Sequence, residues 1–506
     1  MKKKRSAIRL AKIAALKRAS DRRAKSCFLV VIFFAIFACM LVTEVFYVEE
    51  ERWREEKFLS MFSFGDDSSP SSLSRFAVMD PISSRVAREL ARVKDEDWSN
   101  SNESKKLDLI AGGRYSPLMD IDDFWQRVPN TKDKFFVYSA YYDDRRSKWV
   151  RVIAAARTRL ADKVICQFTY NDGREPFAVT GINRLIRENW NLKFSAYFIL
   201  CPIKQQNVPV PSHVSIIRQG STDIGNKIVV HDNKKMFKKP DGIAVCIKPL
   251  HYEYNKVKNL IEFIELNRIL GVSHFVLYNH TVGTEVGCIL QKYMSEGIVT
   301  VLPWQLDIVS QKEIRTEGLF AALNDCLYRT MYRFQYVLMI DLDEYIIPHK
   351  NLSLAILLAH LIKKNPDRTG AFSFQNAFFY LQWPNDTASL SLPYKLLTLQ
   401  KTIRKSKFHA HKQRSKCIVL PERVVEMGNH FVWEFLAGKT MMNIPPDMGF
   451  LHHYRVCEFG GNDCINTTHV VDRRTYVWRD SLIEAVALRL RLLQPVCQNI
   501  LPFLIE

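Results

Sequence analysis

Tyr336-Val337-Leu338-Met339-Ile340-Asp341-Leu342-Asp343-Glu344 runs five apolar residues into a cluster of three carboxylates. An unbroken apolar run suits a strand buried on both faces of a parallel sheet. The carboxylates then fall at its C-terminal end, the edge where open α/β sheets bind ligands. On an extended backbone Asp341 and Asp343 point the same way, because side chains alternate with period two. Two carboxylates so placed suit one hard divalent cation, which takes oxygen ligands and leaves positions open for substrate phosphates. The plainer alternative is a strand closed by an ordinary acidic turn, since D-x-D arises often by chance.

The chain around this stretch alternates strands and helices. Ile243-Ala244-Val245-Cys246-Ile247 reads as a strand, and Val257–Leu270 as an amphipathic helix ended by Gly271. The strand His274-Phe275-Val276-Leu277-Tyr278, a helix around 286–295, the strand Ile298-Val299-Thr300-Val301 and a long helix over about 312–333 follow. This rhythm predicts an α/β fold, a mixed and mostly parallel nucleotide-binding sheet with helices on both faces. Neither G-x-G-x-x-G nor a Walker A loop occurs, which disfavours dinucleotide and P-loop chemistry. Upstream, between about 133 and 235, short β-rich runs such as Phe135-Phe136-Val137-Tyr138 and Ala196-Tyr197-Phe198-Ile199-Leu200 alternate with turn residues. They predict a small β-rich accessory domain over 131–240, followed by the main domain over 241–506.

Charge is unevenly placed. Of a formal net charge of +19, residues 1–26 carry eleven Lys or Arg against Asp21 alone. Ser26 to Thr43 then follows without a charge and, after Glu44, continues through Val48. That length crosses a bilayer and lacks any polar face. Basic residues precede the span and Glu49, Glu50, Glu51, Glu55 and Glu56 follow it. The positive-inside rule therefore predicts a cytoplasmic tail over 1–26, a signal-anchor helix over 27–48 and a lumenal remainder. The Ser-rich, charged segment 49–130 reads as a stem. With the basic tail on the cytoplasmic side, a nucleic-acid partner for the lumenal part is not expected.

Nine of the eleven cysteines lie beyond the span, an odd number that leaves at least one unpaired within the chain. Cys457 and Cys464 are close enough in sequence to close a short loop. No Cys or His cluster has zinc-finger spacing, so a structural zinc site is not expected. Sequons begin at Asn102, Asn279, Asn351, Asn385 and Asn466. Asn279, ending a predicted strand near the ligand-binding edge, is expected to stay bare.

Several blocks together resemble glycosyltransferase family 92. They are Cys246-Ile247-Lys248-Pro249-Leu250, the run from Phe263 to Tyr278, Ala322-Leu323-Asn324-Asp325-Cys326-Leu327, the Asp341–Glu344 run, Lys416-Cys417-Ile418-Val419-Leu420-Pro421 and His452-His453-Tyr454-Arg455. Their order and spacing agree across roughly 242–456. The resemblance implies a GT-A-like fold in a single-pass Golgi membrane enzyme. It also implies inverting transfer of galactose from UDP-galactose to a glycan acceptor, supported by Mn2+. The chain departs from the family pattern at Cys417, where Ser or another small residue is more usual.

With that resemblance, Asp343 is the first choice for direct metal ligation, and Asp341 reaches the ribose or a metal-bound water. Enzymes of this kind often take a third ligand from a C-terminal His. His453 is the candidate and His430 the runner-up, neutral imidazole being a good ligand for manganese. The guanidinium of Arg455 suits a diphosphate, and Asn324 and Asp325 are candidates for uridine or ribose contact. Glu344 reads as solvent-facing or as support for the ligands. A single inverting displacement needs a carboxylate base. Asp386, Glu422, Glu426, Glu434 and Asp447 are candidates, and Glu434 is preferred because Trp433 and Phe431 beside it suit sugar stacking. Two readings of another kind stay open, a transferase using a different UDP-sugar and a membrane-anchored glycan-binding protein without catalysis.

Overall fold

The computed structural model describes residues 123–204, 208–236, 240–458 and 463–497. The tail, the span expected over 27–48, nearly all of the expected stem and the sequon at Asn102 lie outside them. Among the described residues no helix is long and apolar enough to cross a membrane.

Four parallel strands, Val299–Pro303, His274–Asn279, Ile243–Cys246 and Tyr336–Met339, lie side by side in that order. Lys416–Val419 then pairs antiparallel with both Tyr336–Met339 and Thr369–Phe374, and Thr440–Ile444 adds a parallel edge. The sheet is thus mixed and mostly parallel. Its apolar runs divide their residues between two cores because successive side chains face opposite ways. Ile243, Val245, Leu338 and Ile340 face a core shared with the helices Val257–Ile269 and Arg479–Leu493, whereas Ala244, Cys246, Val337 and Met339 face the other.

The second face differs from the expectation of helices alone. It is covered by one helix, Leu319–Thr330, buried at all twelve positions, and beyond it by a nine-stranded, mostly antiparallel sheet built from 126–231. A register shift between Val137 and Ala140 turns both Tyr138 and Tyr141 toward this shared core, although they are an odd number of residues apart. There Tyr138 and Tyr278 pack edge-on to Trp304, with ring centroids 4.5 and 4.6 Å away.

The expected helix over 312–333 is shorter at its start. Thr316, Glu317 and Gly318 all take positive φ, and Gly318 at +78° caps the helix from the left-handed region. A second small sheet sets Gly449–Arg455 between Glu344–Pro348, antiparallel to it, and Asn376–Tyr380, parallel to it. Among the described residues four disulfides join Cys166 to Cys201, Cys246 to Cys326, Cys288 to Cys497 and Cys457 to Cys464, while Cys417 is free and buried.

Candidate active site at the Asp341–Glu344 turn

The strand that leads into the carboxylates ends at Met339. Asp341 to Glu344 then form a tight turn, closed by Glu344 N–H donating to the Asp341 carbonyl at 3.1 Å. Strand alternation therefore does not set the directions of Asp341 and Asp343; the turn does. Asp341 is largely buried, and its Oδ2 accepts from Lys248 Nζ at 2.9 Å, with Lys416 Nζ at 3.5 Å. Asp343 is the open one, with its side chain 45% exposed.

Register explains the lysines. Cys246 is the parallel partner of Met339, so Lys248, two residues on, arrives beside Asp341. Cys417 is the antiparallel partner of Met339, which sets Lys416 beside the same turn. Burial works to raise the Asp341 carboxyl, but the two ammonium groups outweigh it and hold it far below the usual carboxylate range. Glu344 is buried, with Lys416 Nζ 3.4 Å from its Oε2, and burial wins there, raising its carboxyl. The expectation of a solvent-facing Glu344 gives way to a supporting position behind the turn.

His453 is the register partner of Glu344 and spans the cluster. Its Nε2 lies 3.4 Å from Asp343 Oδ2, and its Nδ1 lies 3.3 Å from Glu344 Oε1. Burial favours a raised Asp343 carboxyl, and the charge and hydrogen bond of His453 reverse this and lower it. Nδ1 also lies 3.0 Å from Asn376 Nδ2, while Asn376 Oδ1 is buried without a partner. Turned about its amide axis, Asn376 would present that oxygen to Nδ1–H. With Nδ1 protonated, a cation can take the place of the second proton, at Nε2 on the Asp343 side. An exposed carboxylate beside a neutral imidazole fits a divalent cation of the manganese type.

The other expected residues divide. Arg455 lies near His453, since both flank Phe378, at 5.5 and 5.1 Å from its ring centroid. Arg455 also pairs with Glu458. His430 stands one layer back. Its Nδ1 meets the Ser415 carbonyl at 3.2 Å and its Nε2 lies 3.3 Å from Asn429 Nδ2, and burial pushes the ring down to about 4. No hydrogen bond or ion pair joins His430 to Asp341 or Asp343, although the Asp341 charge is near enough to act on its ring against that burial, so His430 stands behind His453 rather than beside Asp343.

Asn324 and Asp325 are corrections. Both are fully buried. Asn324 Oδ1 accepts from Met427 N–H at 2.8 Å and its Nδ2 donates back to the Met427 carbonyl at 2.9 Å. Asp325 accepts from Ser139, from the Tyr141 and Tyr278 hydroxyls at 2.6 Å each, and from Arg329 Nε at 2.8 Å. Side chains so enclosed have no surface left for a nucleotide.

Glu434 is also a correction. Arg146 holds it at 2.7 Å, and Arg184 and Arg187 pair with it too. Burial pulls the other way, but these guanidinium groups keep its carboxyl below its ordinary value. Such a carboxylate is a weak proton acceptor. Asp386 is likewise engaged, by Arg473 at 2.6 Å and Thr402 at 2.8 Å, and Glu426 is buried against Arg184 at 3.2 Å. Of the sequons, Asn385 and Asn466 are exposed and Asn351 and Asn279 half-buried. Sequence reasoning missed Lys248, Lys416 and Asn376. The signal available for the lysines was a charged residue at the end of an apolar strand, inside two of the quoted blocks.

Residues 241–485, which hold every side chain of this turn site, match the description Glycosyltransferase family 92. This stretch belongs to glycosyltransferase family 92. One family relative, Beta-1,4-galactosyltransferase galt-1 of Caenorhabditis elegans, is 26% identical over 313 residues, covering 58% of this chain and 68% of that protein. A second Caenorhabditis elegans protein, named for family 92, is 22% identical over 228 residues, covering 43% of each. Among solved structures, S. aureus TarS 1-349 in complex with UDP aligns at 12% identity over 49% of this chain and 65% of that one, with a TM-score of 0.23.

Proposed function

We propose that this protein is a GT-A-like, type II membrane glycosyltransferase of the Golgi that transfers galactose from UDP-galactose to a glycan acceptor with inversion. The observation that carries the reading is the exposed Asp343 carboxylate backed by His453 Nε2 at 3.4 Å, at the C-terminal edge of a parallel sheet within the family 92 segment. The relative named a β-1,4-galactosyltransferase supports galactose as the sugar. The basic tail and apolar run at the N-terminus support the membrane topology.

Asp343 and His453 would hold a manganese ion. When bound, such an ion offsets the negative charge that grows on the departing nucleoside diphosphate. Glu344 and Asn376 fix the His453 ring and its proton. Asp341, clamped by Lys248 and Lys416, keeps the turn in one conformation. Lys248 is a third exposed and adds a positive charge at the mouth of the site, suited to phosphate oxygens. Arg455, over Phe378, adds another close by.

The test is UDP release by the purified full-length chain supplied with UDP-galactose, UDP-glucose or UDP-N-acetylglucosamine and a glycan array, with and without Mn2+. Mn2+-dependent turnover preferring UDP-galactose is expected. Asp343→Asn should lower turnover by about 100-fold or more while the melting temperature without metal stays close to that of the parent. Near-parental turnover in Asp343→Asn would sink the metal assignment. Equal use of another UDP-sugar would sink the choice of galactose.

A further inference from the structure

We infer that His349, His452 and Asp472 form a second cation site, apart from the Asp343 turn, that takes a zinc-class divalent ion through two imidazoles and one carboxylate. One donor atom from each side chain lies within 4.8 Å of the other two. The three come from different elements. His349 follows the strand Glu344–Pro348, His452 sits within Gly449–Arg455, and Asp472 follows the strand His469–Val471. His452 and His453 are neighbours on one strand, so their rings leave by opposite faces. One strand thus serves the Asp343 turn from one side and this cluster from the other.

The second, independent observation is unmet hydrogen bonding. His452 is fully buried, and neither its Nε2 nor that of His349 has a partner. Two buried imidazole nitrogens left bare are costly, each by about 1–3 kcal/mol. A cation between them satisfies both. The His452 ring is fixed for this, stacked between Phe379 and Phe450 with centroids 4.5 and 4.6 Å away. Its Nδ1 lies 3.3 Å from the Tyr454 hydroxyl, the outer contact that sets a ligating histidine's tautomer.

The charge balance selects the kind of ion. Asp472 Oδ2 accepts from Arg404 Nε at 2.8 Å and its Oδ1 from Arg474 N–H at 3.1 Å. Each oxygen keeps a further lone pair, but Arg404 already neutralises the carboxylate. Calcium and magnesium take oxygen ligands, and imidazole nitrogen suits neither. Two imidazoles with a single, shared carboxylate suit zinc or a neighbouring first-row ion, with water completing the shell. The donors must draw in by roughly 1 Å to meet a zinc ion at about 2.0–2.1 Å. Zinc-finger spacing in the sequence could not reveal ligands spread over positions 349, 452 and 472.

The experiment uses the purified full-length chain carrying Asp343→Asn, so that the turn site is silent whatever its role. The protein is stripped with chelator and titrated with Zn2+ and, separately, Co2+. One bound ion per chain is expected, with visible Co2+ absorption and a Zn2+-dependent rise in melting temperature. Adding His349→Ala or Asp472→Asn should weaken binding by about 10-fold or more and abolish the rise. Should His349→Ala fail to fold by circular dichroism, the isosteric Asp472→Asn decides alone. No bound ion in the Asp343→Asn chain, or unchanged affinity in Asp472→Asn, would overturn the site and leave a buried histidine pair.

Discussion

His453 Nε2 faces Asp343 Oδ2 across 3.4 Å, from a strand more than a hundred residues further along the chain. Antiparallel pairing of Glu344 with His453 brings the two together. His430 instead meets the Ser415 carbonyl and Asn429. His453→Ala should therefore raise the Mn2+ concentration for half-maximal turnover by about 10-fold or more. His430→Ala should leave it near the parental value. A manganese titration of both variants checks this, and the reverse order would move the metal role to His430.

Asp325 should prove a folding residue. It takes four hydrogen-bonding partners in a fully buried position, Arg329 among them. Asp325→Ala removes one of the two carboxylates that pair with the buried Arg329, Asp123 at 2.8 Å being the other, and leaves three buried hydroxyls without their acceptor, a loss of about 3 kcal/mol or more. Denaturant unfolding should show that loss, with the KM for the sugar nucleotide unchanged in whatever fraction remains folded. A raised KM with parental stability would restore the ligand role.

Acid should find a weak point at Asp143. Burial raises its carboxyl, but Arg145 at 2.9 Å and Arg151 at 3.1 Å prevail and lower it from 3.8 to about 2. A carboxyl depressed in the folded state stabilises above its unfolded value, and that contribution disappears as pH falls from near 4 through about 2. The amount is about 2 kcal/mol. Asp143→Asn should lower stability at pH 7 and make the acid limb between pH 4 and 2 shallower, as read by thermal melts across that window.

Membrane topology is open to a direct test. With residues 1–26 cytosolic and the sequons lumenal, glycosidase treatment should lower the apparent mass of the expressed protein. Asn385→Gln and Asn466→Gln should each reduce the shift, because both sites are exposed. Asn279→Gln should not. An unshifted protein whose C-terminus is open to protease in intact microsomes would reverse the orientation.

The parallel strands were legible because burial on both faces leaves a local mark, the unbroken apolar run of Tyr336 to Ile340. Gly271, at φ +102°, ends its helix where the sequence said it would. The odd count of cysteines beyond the span implies at least one left unpaired within the chain, and among the described residues that is Cys417. The misreadings were non-local. Asn324-Asp325 looks the same whether it meets a nucleotide or a buried network, and the partners of Asp325 at Ser139 and Tyr141 lie 186 and 184 residues away. The Asp341–Glu344 segment reads in sequence as an extended continuation of the strand or as an acidic turn after it, and the structure has the turn. In that turn Asp341 is held by Lys248 and Lys416 and Glu344 is held by Lys416, both lysines reaching in from two flanking strands.

The shared core under the helix Leu319–Thr330 has a practical meaning for anyone trimming the gene. A fragment cut to 241–485 would strip Ser139 and Tyr141 from Asp325, bare the outer side of the helix Leu319–Thr330 where Tyr328 packs on Tyr141 and Phe198, and delete Arg489, which holds Glu265 at 3.0 Å. It would also leave Cys288 without Cys497. A piece expected to fold unaided therefore reaches from about Asp123, which pairs with Arg329, to Cys497, wider at both ends than the segment that matches the family.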